Sequence, residues 1–75
     1  MYKVKYHKQV IKFLQLHPNI AKKIITFFDE IKIDLNFKNY DVNKLEGFKN
    51  SYRLRISKFR IIFKIENNEL LIEII

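Results

Sequence analysis

The sequence has no cysteine, one glycine and one proline in 75 residues. Without cysteine it can form no disulfide and no thiolate metal site. A single glycine cannot build a Gly-rich phosphate loop, and no paired-carboxylate motif or Ser/His/Asp arrangement stands out. The two histidines, His7 and His17, have no sequence-near His, Cys or carboxylate at metal-ligand spacing. Both read as surface residues, and neither a metal nor a cofactor is expected. No apolar run approaches the roughly 20 residues needed to span a bilayer. The N-terminus alternates lysine with apolar residues, unlike a secretory signal. These features predict a cytoplasmic chain with no membrane role. Acidic residues are also scarce, eight against fifteen basic ones, for a net charge of +7. Such a balance in so small a chain favours a polyanionic partner, either nucleic acid or an acidic protein segment.

Apolar residues are plentiful. At 48% hydrophobic and 15% aromatic, the chain is too apolar to stay disordered. Its length predicts one domain over residues 1–75, with a small core that leans on seven Phe and four Tyr. Tyr2 to Tyr6 alternates and reads as a first strand, with Tyr2, Val4 and Tyr6 inward and Lys3 and Lys5 outward. His7 to Leu16 groups Val10, Ile11, Phe13 and Leu14 on one side, as a short helix does. Pro18 disfavours helix at His17 and suits the first turn of a second helix. Ile20, Ile24, Phe27, Phe28, Ile31 and Leu35 then form one apolar stripe. Asp29, Glu30 and Asp34 argue against that helix lying on anionic lipid. Asn36 to Asn43 reads as a loop pinned by Phe37 and Tyr40.

All three arginines fall within eight residues, whereas the other basic residues are lysines spread along the chain. Tyr52, Leu54 and Ile56 alternate with Arg53, Arg55 and Ser57. Phe59, Ile61, Phe63 and Ile65 alternate with Arg60, Ile62 and Lys64. Period two predicts two strands joined at Ser57-Lys58, one face apolar and the other carrying Arg53, Arg55, Arg60 and Lys64. A guanidinium offers a flat fork of donors that matches phosphate. Glu66-Asn67-Asn68 reads as a turn, and Leu70 to Ile75 as a last, nearly all-apolar strand central in the sheet or covered on both faces. The expected architecture is α+β: a strand, a two-helix hairpin, then a three-stranded antiparallel meander, with the helices packed on one sheet face.

The segments Lys44-Leu45-Glu46-Gly47, Tyr52-Arg53-Leu54-Arg55-Ile56 and Phe59-Arg60-Ile61-Ile62-Phe63 resemble the RelE/ParE superfamily of bacterial toxins. The resemblance runs over nearly the whole chain. It implies the toxin of a toxin–antitoxin pair that cleaves messenger RNA on the ribosome, by attack of a 2′-hydroxyl on the adjacent phosphate. Arg53, Arg55 and Arg60 match the family's basic positions and would carry catalysis. Lys3, Lys5, Lys44 and Lys64 would extend the RNA-binding surface. The implied partners are a cognate antitoxin, the ribosome and its mRNA, with operator DNA reached only through the antitoxin complex. Active RelE-like toxins usually continue past the last strand into a basic tail with an Arg and a Tyr or His, and this sequence stops at Ile75. Tyr40 and His7 are candidate substitutes for the tail. Three readings stay open: a RelE-like endoribonuclease, a ParE-like or otherwise non-nucleolytic toxin acting on a target such as DNA gyrase, and a non-enzymatic basic module that binds RNA or an acidic peptide.

Overall fold

The computed structural model describes residues 1–74, with side chains to Glu73. A five-stranded sheet carries two helices on one face. The elements are β1 (Lys3–Tyr6), α1 (Lys8–Leu16), α2 (Pro18–Ile31), β2 (Val42–Lys44), β3 (Ser51–Ile56), β4 (Phe59–Glu66) and β5 (Glu69–Ile74). Across the sheet the order is β1-β5-β4-β3-β2. β2 to β5 form an antiparallel series, and β1 joins β5 in parallel. The last strand therefore lies inside the sheet. Ile75, expected to belong to it, is outside the described residues.

The helices begin and end for local reasons. His7 is not helical but caps α1, its Nδ1 accepting from the Gln9 N–H at 3.2 Å. Pro18 opens α2, where its missing N–H costs no hydrogen bond. The apolar stripe suggests a helix reaching Leu35, but α2 stops at Ile31. Beyond it the chain turns on local bonds, Asn36 N–H to the Asp34 carbonyl and Lys38 N–H to the Asn36 side chain. Such Asp and Asn contacts compete with helix continuation. Leu35 still packs half-buried against the core. His17 also departs from the surface reading. It is half-buried, its ring 4.4 Å from Phe13 and 5.2 Å from Phe59.

The core sits between α2 and the inner sheet face. Ala21, Ile24, Phe27, Phe28 and Ile31 from α2 meet Leu54, Ile61, Phe63, Leu70 and Ile72. Phe63 is fully buried, with ring contacts to Phe27, Phe28, Phe37 and Tyr52 at 5.3–5.7 Å. Edge-to-face and offset packing of this kind adds to the area each ring removes from water. Tyr52, Ile56 and Phe59 also pack against this core, half-buried. The alternation in β3 and β4 thus has the expected phase.

Two tight turns hold the register of the meander. Ser57-Lys58 connects Ile56 to its partner Phe59, with Ser57 at φ 56°. Positive φ at the first central residue is the pattern of a type II′ hairpin turn. Asn67 and Asn68 both have positive φ, 51° and 62°, as a type I′ turn requires, and Asn tolerates that conformation better than most residues.

Candidate functional site

The face without helices can be read as a grid, because strand pairing aligns outward residues in rows. One row runs Arg60–Arg55 across β4 and β3. The next runs Glu73–Ile62–Arg53–Asn43 from β5 to β2. A third runs Lys5–Leu71–Lys64–Ser51 from β1 to β3, and a fourth Lys3–Glu69–Glu66. Neighbouring rows lie about 6.5–7 Å apart, two residues along each strand.

Charge is uneven on this grid. Lys5 pairs with Glu69 at 2.7 Å and Lys64 with Glu66 at 2.8 Å. The Lys64 ammonium holds the Glu66 carboxyl below its ordinary pKa. The far rows are therefore nearly balanced. Among the described residues, Arg53, Arg55 and Arg60 form no ion pair with a carboxylate. Arg55 and Arg60 stand directly opposite each other and are exposed. Like charges in that position repel, so the hairpin end of the sheet holds an uncompensated cationic pair. Arg53 is half-buried, and its Nε is shielded from solvent without a hydrogen-bond partner. An anion on this face would relieve both costs.

The other residues singled out in the sequence divide. Lys3, Lys5 and Lys64 share the open face with the arginines. Lys44 does not, because it pairs with Tyr52 and so falls on the helix-bearing side of the sheet. His7 lies past β1, two strand spacings (about 10 Å) from β4, which carries Arg60, and three (about 14 Å) from β3, and its Nδ1 is engaged by the Gln9 N–H. The fold does not bring it to the arginines. The Tyr40 hydroxyl donates to the Glu30 carboxylate, a bond that raises its pKa, with lesser contributions from desolvation and the Glu30 charge. A phenol held protonated in this way is a poor base. Among the described residues, no three His, Asp or Glu side chains are placed to hold a metal ion, and no helix is long and apolar enough to cross a membrane.

Two concavities were not legible in the sequence. One of about 440 Å³ lies between α2, the segment just before β2 and the hairpin end of β3, lined by Lys22, Lys23, Asn39, Tyr40 and Arg55 among others. The second, also about 440 Å³, lies on the open face between the second and third rows. Leu45, Phe48, Ile62 and Leu71 give it apolar walls, with Ser51, Lys64 and Glu73 also lining it. Each draws on residues far apart in the chain, which no local pattern connects.

A two-helix layer over a five-stranded sheet, with a cationic open face, is the small α+β architecture expected of a RelE-like domain. Comparison with known proteins agrees. Over 66 residues the chain is 32% identical to the "putative toxin RelE1" of Methanocaldococcus jannaschii, covering 85% of this chain and 73% of that protein. The fold matches the crystal structure of the archaeal RelE–RelB complex from Pyrococcus horikoshii OT3 with a TM-score of 0.70. That match is 32% identical and covers 95% of this chain and 88% of the solved one. No family model matches the sequence. The chain belongs to the RelE toxin family. The resemblance in the sequence was to bacterial toxins, whereas both of these relatives are archaeal.

Proposed function

We propose that this chain is the toxin of a toxin–antitoxin pair and acts in the cytoplasm as a ribosome-dependent endoribonuclease on messenger RNA. The observation that carries the reading is the placement of Arg53, Arg55 and Arg60 together on the open sheet face, without carboxylate partners among the described residues. In the proposed reaction the 2′-hydroxyl gives up its proton to solvent as its oxygen bonds to the adjacent phosphorus, the P–O5′ bond breaks with the 5′-oxygen taking up a proton, and a 2′,3′-cyclic phosphate forms. Charge grows on the phosphate oxygens as the crowded intermediate is approached. Preorganised guanidinium donors stabilise that charge more than they stabilise the substrate. In this reading Arg55 and Arg60, cross-strand partners, contact the reacting phosphate, and Arg53, one row away, contacts its neighbour. Arginine does not deprotonate in proteins, so these three side chains bind and neutralise rather than remove the 2′-proton. Lys3, Lys5 and Lys64 add general attraction to the RNA backbone.

The solved relative is a RelE–RelB complex, which supports an antitoxin as this chain's partner. An acidic, partly disordered segment would neutralise the arginine rows and exclude RNA from them. Co-expression tests this. The chain alone should arrest growth, the adjacent small acidic protein should copurify with it, and that protein should restore growth. Recovery of no such partner at low salt would count against the toxin reading.

A further inference from the structure

The apolar concavity on the open face is out of place on a surface meant only for phosphates. Phe48 stands at its edge with 66% of its surface exposed. The loop that carries it is held by structure. The Leu45 N–H bonds the Ser51 carbonyl at 2.9 Å, and Gly47 at φ 81° makes the bend. Ile62 and Leu71 form walls opposite. Arg53 is the cross-strand partner of Ile62, so a cation for phosphate lies in the adjoining grid position. Glu73 lines the cavity from the other side of Ile62 and, among the described residues, has no cationic partner.

We propose that this depression, walled by Leu45, Phe48, Ile62 and Leu71, receives one nucleobase of the RNA whose phosphates lie on the arginine rows. Single-stranded RNA is bound where a cationic track adjoins aromatic side chains on which bases stack. The phosphate side is supplied by Arg53, the stacking side by Phe48, and Glu73 accepts from the amino or imino donors on a base edge. The proposal deepens the nuclease reading, because it requires RNA to cross this face. Base contact here would make cleavage depend on sequence.

The test is fluorescence anisotropy of the purified chain with a short 2′-O-methyl RNA, which cannot be cleaved, and with the same strand lacking bases. The wild type should bind the base-bearing strand more tightly. Phe48→Ala should weaken that binding roughly tenfold or more, leave the abasic strand unaffected and keep the slope of log K against log salt. Phe48→Tyr should behave as wild type. Arg60→Ala should weaken both strands and reduce the slope by about one. Equal affinity of wild type and Phe48→Ala for both strands overturns the proposal, as does failure of the wild type to bind RNA. So does a Phe48→Ala defect confined to an acidic peptide. The two readings separate cleanly. Base-dependent binding without cleavage on ribosomes would retain the pocket and remove the nuclease. Cleavage without base-dependent binding would do the reverse.

Discussion

Three side chains each carry a separate test. Phe63 is fully buried among four aromatic rings. Phe63→Ala should cost about 3–5 kcal/mol, a large share of the stability of a domain this small. Chemical denaturation measures it, and an unchanged midpoint would contradict the packing. Tyr6 reports on pH. Burial first, and the Asp29 carboxylate second, push its pKa from 10.0 up to about 12. The folded state therefore favours the neutral phenol. That contribution is complete below pH 10 and is lost as pH rises toward 12. The informative comparison is with Tyr6→Phe, whose melting temperature should fall less between pH 10 and 12. Equal slopes would contradict the assigned environment. Arg60 is exposed on the open face, so Arg60→Ala should leave the fold intact while lowering cleavage roughly 10²–10³-fold. Arg60→Lys should recover only part of this, since one ammonium cannot reproduce the guanidinium fork.

Among the elements, β3 and β4 were the most legible in sequence. Their apolar and basic residues alternate except at the outward Ile62, so burial of Leu54, Ile61 and Phe63 places all three arginines outward. β2 was not legible. Val42–Lys44 has no alternation of its own, and pairing with β3 makes it a strand. A ladder partner chosen by tertiary structure leaves little local trace. The same reason explains His17, whose buried contact with Phe59 joins the helix junction to β4. It also explains the two concavities, each assembled from several elements. Lys44 was assigned to the RNA surface because it belongs to the motif, and the β2 register then turned it to the other side. Within the β2–β3 connection, Gly47 at φ 81° has no atom within 4 Å of where a Cβ would stand. Gly47→Ala should therefore destabilise through backbone conformation alone, by about 1–2 kcal/mol. A larger loss would mean a steric clash that the structure does not contain.

For the whole molecule, one face builds the core and the other gathers charge. The net charge of +7 does not specify a partner, and the reading rests on how that charge is arranged. Two lysines of the far rows, Lys5 and Lys64, pair with glutamates, and the arginines have no carboxylate partner among the described residues. Under the proposed function the same face serves both RNA and an antitoxin, so the two should compete, with added salt weakening both. The central claim is that this face cuts messenger RNA on the ribosome. Primer extension on mRNA from cells expressing the wild-type chain or Arg60→Ala at equal level tests it most directly. The account predicts new ends within translated regions for the wild type and their loss in the variant, with both proteins folded by circular dichroism. No new ends in the wild-type lane, with folded protein present, would contradict it.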